Sequence, residues 1–253
     1  FPSTRLGLDW DFESYSLVTR SIILEYGKFP MHDPWVAGGV DILANPHSRV
    51  FSPSILLDLL LNPTYAYFAL ILIWGVVGYF GFYKLLRFYD VSERSSLVFA
   101  ATFIFSSYFG LHFSEGHVSF ASWQALGLIF YLILHIDRVK YLFFYALLMV
   151  VLLLEGNIHV LIFSQIILSI GLGFNMNGIT KKIVTNYRTY LPHAAIIIVA
   201  SAMIASVKLI PMLSLFATRA PADDYENMSL YLVLRSFFDP FQFVSKETHW
   251  LVH

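Results

Sequence analysis

The stretch TYAYFALILIWGVVGYFGFYKLLRF (64–88) decides the class of this protein. Its residues 64–83 carry no charge at all. Wound as an α-helix, the stretch would be about 37 Å long, more than the roughly 30 Å of a bilayer's hydrocarbon core. Further apolar runs lie on its C-terminal side, at 95–113, 120–136, 141–154, 158–174 and 191–216. The fourth and fifth spans are separated only by Glu155-Gly156-Asn157. The pattern predicts an all-α, polytopic transmembrane bundle of about six spans.

Composition agrees. Of 253 residues, 57% are hydrophobic and 13% charged, and the mean hydropathy is +0.66. A soluble domain carries about 25% charged residues. The chain has no cysteine, which removes disulfides and thiolate chemistry, and a net charge of −1, which gives no basic signal for nucleic acid. Beginning at Phe1 and stopping at His253, the chain reads as a segment of a longer protein.

The loops give an orientation. Lys84, Arg87, Arg94, Arg138, Lys140, Lys181, Lys182 and Arg188 crowd the loops 84–94, 137–140 and 175–188, against Asp90, Glu93 and Asp137. That side is expected to be cytoplasmic. The opposite, outer side then holds a first loop at 1–63, ahead of the bundle at 64–216, and a further outer segment at 217–253. Within the first loop, YSLVTRSIILEYG (15–27) and SILLDLLLN (54–62) read as short amphipathic helices on the membrane surface. Between them, 29–53 is rich in Pro, Gly and Asn and reads as irregular, tightly turned chain.

Polar residues gather at the outer ends of the spans. Asp9 and Asp11 stand in GLDWDFESYSL (7–17). Such carboxylates could take a proton from a hydroxyl, or hold a divalent ion, or simply be solvated acids or a helix cap. His112, Glu115 and His117 in LHFSEGHVSF (111–120) could bind a metal or a phosphate, or form a wet polar turn. Glu155, Asn157 and His159 interrupt hydrocarbon-length runs, where ionisable groups usually face a cavity, although a tight hairpin in water would also suit them. Lys208, three residues before Pro211, could snorkel outward or meet a phosphate, with Arg219 a second cation just beyond. Asn45, His47 and Arg49 could touch a sugar or phosphate, or satisfy backbone groups of their own loop. Trp10, Trp35, Trp123 and Trp250 read as interfacial belt residues.

Taken as an ordered series, Gly7-Leu8-Asp9-Trp10-Asp11, Gly27-Lys28-Phe29-Pro30, Asp33-Pro34-Trp35, Gly38-Gly39, Ala44-Asn45-Pro46 and Phe51-Ser52-Pro53 resemble the first outer loop of GT-C superfold membrane glycosyltransferases, and among them the YfhO-like multispanning proteins. Gly116-His117, Gly156-Asn157-Ile158-His159 and Lys208-Leu209-Ile210-Pro211 continue the resemblance over nearly the whole chain. It implies transfer of a sugar from a polyprenyl-phosphate donor at the outer face of the cell membrane, with a divalent metal ion as the one candidate cofactor. By position, Asp9 would be the acid that activates the acceptor, with Asp11 its neighbour. Glu115 and His117 would lie across the cavity, and Lys208 or Arg219 would neutralise the departing lipid phosphate. The same fold would also serve a non-catalytic subunit docked to protein partners in a membrane complex. A transporter of a lipid-linked substrate is the third expectation, although polar clusters at the outer ends favour outer-face chemistry over midplane sites.

Overall fold

A computed structural model describes residues 16–35, 39–114, 116–173 and 178–218. The chain divides into a unit ending at Leu215 and a second starting at Phe216, of which only the end of one helix is described.

Helices dominate. A short helix α1 (Val18–Leu24) leads into a two-residue antiparallel ladder, β1 (His32–Asp33) with β2 (Val40–Asp41), in which His32 faces Asp41 and Asp33 faces Val40. Then follow α2 (Ile55–Leu60), α3 (Pro63–Phe88), α4 (Glu93–Ile104), α5 (Ser107–Ser114), a 3₁₀ helix (Val118–Ala125) and α6 (Leu126–Ile133). The last are α7 (Val139–Leu154), α8 (Ile158–Gly173), α9 (Ile179–Thr185) and α10 (Tyr187–Thr218).

Three segments are long and apolar enough to cross a membrane: Pro63–Phe88, Glu93–Ser114 and Tyr187–Leu215. Three of the six expected spans are therefore seen at full length; the others form shorter apolar helices, Ser119–Ile133, Val139–Leu154 and Ile158–Ile170. Sixteen residues, as in α7, extend only about 24 Å, short of a hydrocarbon core of roughly 30 Å. The expected span at 120–136 begins as a 3₁₀ helix, a tighter form with poorer hydrogen-bond geometry that rarely persists. Here an outside donor helps hold it, because the Asn157 side-chain amide reaches the Ser119 carbonyl.

The long helix α3 organises the bundle. Asn62 caps its start, accepting from the Thr64 N–H (3.1 Å), and Pro63 fills the first turn, where its missing N–H costs nothing. Glycine lets α6 pack almost backbone to backbone against it. A Cβ on Gly81 would fall 2.4 Å from the Leu128 nitrogen, and one on Gly127 would fall 2.7 Å from Phe82 Cα. Small residues play this part in membrane bundles, where tight packing replaces the hydrophobic drive between helices. Around this contact sits a core of Tyr67, Leu70, Trp74, Ile129, Leu132, Tyr145 and Leu152. Outward, Leu72, Phe80, Met203 and Ile210 are all more than half exposed, an apolar exterior suited to lipid.

The two first-loop helices form, as α1 and α2, but α2 is turned against the amphipathic expectation. Its one acid, Asp58, is buried, while Leu56 and Leu60 are exposed. Where the surroundings are apolar, a leucine loses little by facing out, and a carboxylate gains by facing its counter-charge.

Candidate functional site

Residues 45–54 fold as successive turns. The Asn45 side chain accepts from the His47 N–H (2.9 Å), and the Ser48 and Ser52 amides reach back to the Asn45 and Arg49 carbonyls (3.1 and 2.9 Å). These turns aim Arg49 inward, and it is only 3% exposed. Its guanidinium becomes a hub. Nη1 donates to Ser16 Oγ (3.1 Å) and Nη2 to Ser54 Oγ (2.7 Å). Ion pairs run to Asp58 at 3.6 Å and to Glu155 at 3.3 Å.

Glu155 arrives from the far side of the sequence, at the C-terminal end of α7. Its carboxylate accepts from the Ser52 hydroxyl and from Ser54 Oγ (2.9 Å), and the two serine oxygens lie 2.8 Å apart. Gly156 makes this approach feasible. It holds the left-handed conformation (φ +80°), and a Cβ there would stand 2.2 Å from the His47 carbonyl oxygen. Asn157 completes the turn by donating to the Ser119 carbonyl and to Ser122 Oγ (2.5 Å), while its own oxygen accepts from the Val160 N–H at the start of α8 (3.3 Å).

The fourth charge comes from α10. Lys208, 2% exposed, donates its ammonium to the Ser48 carbonyl. Glu155 attracts it and Arg49 repels it. Two cations and two carboxylates thus share one buried volume. At its edge, Arg20 donates to the Asp58 and Leu61 carbonyls at the C-terminal end of α2, where a cation also suits the helix dipole. Burial raises the Asp58 carboxyl above its ordinary value of 3.8; Arg49 opposes this, Glu155 adds to it and Arg20 opposes it. The pairing is imperfect. Asp58 Oδ2 and Arg49 Nε each stand in an ion pair, to Arg49 Nη2 and to Glu155, but lack a hydrogen-bond partner, as does the buried Thr19 hydroxyl.

Beside the cluster lies a cavity of about 650 Å³ between α2, α3, α6 and α7. Leu57, Leu70, Trp74, Leu132 and Leu148 line it, and Ser54 and Glu155 stand at its polar end. The arrangement is a greasy slot that terminates at hydroxyls and charges. It suits an amphiphile whose tail lies among the helices and whose head meets polar groups.

Of the residues picked from the sequence, the fold brings Asn45, His47, Glu155 and Lys208 to one place. His159 is exposed at the start of α8, with its ring 5.7 Å from that of His47. His117 packs elsewhere: its Nδ1 is 2.9 Å from Nδ1 of His112, whose ring stacks on Phe120 at 3.7 Å. Asp9, Asp11, Glu115 and Arg219 lie outside the described residues. Among the described residues no group of three His, Asp or Glu stands close enough to hold a metal ion. Sequence reasoning missed Asp58 and the serines Ser16, Ser52 and Ser54. A lone acid within the apolar run SILLDLLLN was the available signal for Asp58, and Phe51-Ser52-Pro53 that for Ser52; Ser16 and Ser54 gave none. No protein-family model, curated protein or solved structure matches the chain.

Proposed function

We propose that this chain is the membrane-embedded part of a GT-C-type glycosyltransferase that draws on a polyprenyl-phosphate-linked sugar at the outer face of the cell membrane. The observation that carries this reading is the apolar slot that ends at Ser54 and Glu155, with Arg49 and Lys208 buried behind them. A prenyl chain requires such a slot, and a lipid phosphate requires nearby cations. In this reading the chain crosses the membrane about six times, with 1–63 outside. The α7–α8 hairpin is recessed, and Asp9 or Asp11 is the base that activates the acceptor hydroxyl. The reading also rests on the ordered resemblance of the first loop.

The test is sugar transfer by the full-length protein in membranes supplied with radiolabelled polyprenyl-phosphate sugars, wild type against Asp9→Asn. Transfer that the substitution abolishes, at unchanged protein level, supports the enzyme. Absence of transfer across a broad donor panel, or an equally active variant, refutes it.

One observation favours a second reading, a non-catalytic membrane subunit. Arg49 spends its donors and its charge on Ser16, Ser54, Asp58 and Glu155, so the cluster works as a clamp that ties the first loop to α7. A subunit of this kind would co-purify with its partner proteins and show no transfer.

A further inference from the structure

A second cavity, of about 510 Å³, lies between α3, α4, α5 and the 3₁₀ helix and shares no lining residue with the slot beside Glu155. Its mouth opens among Phe68, Leu72, Phe80 and Phe105, each more than half exposed, so it faces the apolar exterior and not water. The lining is aliphatic and aromatic apart from Tyr79, Ser106 and Gln124.

Gln124 is the unusual member. It is 1% exposed, and its side-chain oxygen has no hydrogen-bond donor. That oxygen lies beside Gly75, another lining residue: a Cβ on Gly75 would meet it at an ordinary 3.7 Å. The absent side chain leaves the backbone surface of α3 open just where the oxygen sits. A buried acceptor without a donor is costly, and native proteins almost always satisfy it. Here the donor has to come from whatever fills the cavity.

We propose that this cavity binds a membrane amphiphile with an apolar body and a neutral hydroxyl, the hydroxyl donating to the Gln124 oxygen. The chemistry narrows the occupant. Among the described residues no cation lines the cavity, so an anionic head would be unpaired there, and a single amide oxygen cannot offset the desolvation of an ammonium. A protein helix is 10–12 Å wide with its side chains, too broad for a pocket of this volume, and its backbone donors are already used. A pure hydrocarbon would leave the oxygen orphaned.

The test uses the full-length protein in lipid nanodiscs and two photoreactive probes, a long-chain alcohol and the alkane of equal length without the hydroxyl. Labelling is mapped to the peptides containing 68–80 and 104–113. The expected result is half-maximal labelling at about tenfold lower concentration for the alcohol, the size of one hydrogen bond to an otherwise unsatisfied group. Gln124→Met should erase the difference between the probes. Val76→Trp, on a half-exposed wall position where folding tolerates bulk, should block both. Equal labelling by alcohol and alkane in the wild type overturns the proposal. So does labelling that persists in Val76→Trp, or an alcohol preference that survives Gln124→Met. If Gln124→Met fails to fold, the wild-type contrast and Val76→Trp still decide.

Discussion

Replacing Arg49 with Met keeps a long side chain in place and removes one charge from the centre of a buried cluster. Arg49 faces Glu155 at 3.3 Å and Asp58 at 3.6 Å. At an effective dielectric constant near 20, each attraction is worth about 5 kcal/mol before desolvation is counted. Most of that is offset by the cost of burying the ions, but the offset is not returned when only one partner is removed. The variant would leave Asp58 and Glu155 as two carboxylates against the one buried cation Lys208, with Arg20 acting only from the edge, in surroundings only a few per cent exposed. The expected loss is about 3–5 kcal/mol of unfolding free energy at neutral pH, the range for a broken buried pair.

The pH dependence gives a sharper readout. The Asp58 carboxyl already sits above 3.8, chiefly because it is buried, and Arg49 holds that rise in check. An acid whose folded value exceeds its unfolded value binds its proton more tightly in the folded state. Its ionisation therefore removes stability as pH climbs from the unfolded value through the folded one. Without Arg49 the folded value moves higher, and each further unit costs about 1.4 kcal/mol once both values are passed. The deficit of Arg49→Met should accordingly be smallest near pH 4 and grow toward pH 8. Adding Asp58→Asn should recover more than 1 kcal/mol, since Glu155 and Lys208 then balance. The assay is denaturant unfolding in mixed micelles at several pH values, with the double variant closing the cycle. A deficit below about 1 kcal/mol at pH 7, or one that is the same at pH 4 and pH 8, would refute the clamp.

Three other perturbations test the scaffold. Gly156→Ala forces a Cβ into the His47 carbonyl and into the left-handed region; we expect a loss of about 2–3 kcal/mol by unfolding, and faster protease cleavage between residues 45 and 54. Asn157→Ala removes a helix cap and leaves Ser122 and the Ser119 carbonyl with fewer partners, so it should cost about 2 kcal/mol, whereas Asn157→Asp should retain the cap while losing the two donated bonds. Gly81→Ile drives a branched side chain into the Leu128 backbone, which cannot yield as a flexible side chain would. A loss of about 3 kcal/mol is expected, with Gly75→Ala, whose Cβ meets nothing closer than 3.7 Å, as the mild control.

Much of the architecture could be read along the chain, because hydropathy is a local and additive property. The apolar runs locate α3, the α4–α5 segment and α10, and short breaks such as Glu155-Gly156-Asn157 locate the turns. The runs at 141–154 and 158–174 also locate α7 and α8, whereas the run at 120–136 conceals a change of helix type. A run of apolar letters does not reveal that Val118–Ala125 winds as a 3₁₀ helix, or that Leu134 to Asp137 ends α6 early. Of the polar clusters picked from the sequence, those at Asn45–Arg49, Glu155–Asn157 and Lys208 meet in the fold, whereas His112 and His117 pack elsewhere.

What could not be read was which cluster meets which. Arg49 and Glu155 are 106 positions apart in the numbering, and Ser48 and Lys208 are 160 apart. Nothing local links them. Their meeting depends on glycines at Gly81, Gly127 and Gly156 that let backbones touch, and on helix lengths that bring the end of α7 level with the first loop. Asp58 shows the limit most plainly. Its sequence neighbours make α2 look like an amphipathic helix with the acid on the wet side, yet the fold turns the acid inward and the leucines outward. The sequence by itself determined a membrane-type helical protein with polar knots near the ends of its spans. Only the tertiary structure decided that these knots close on one another, because a buried charge is stabilised by its partner in space and the chain records only its partner in sequence.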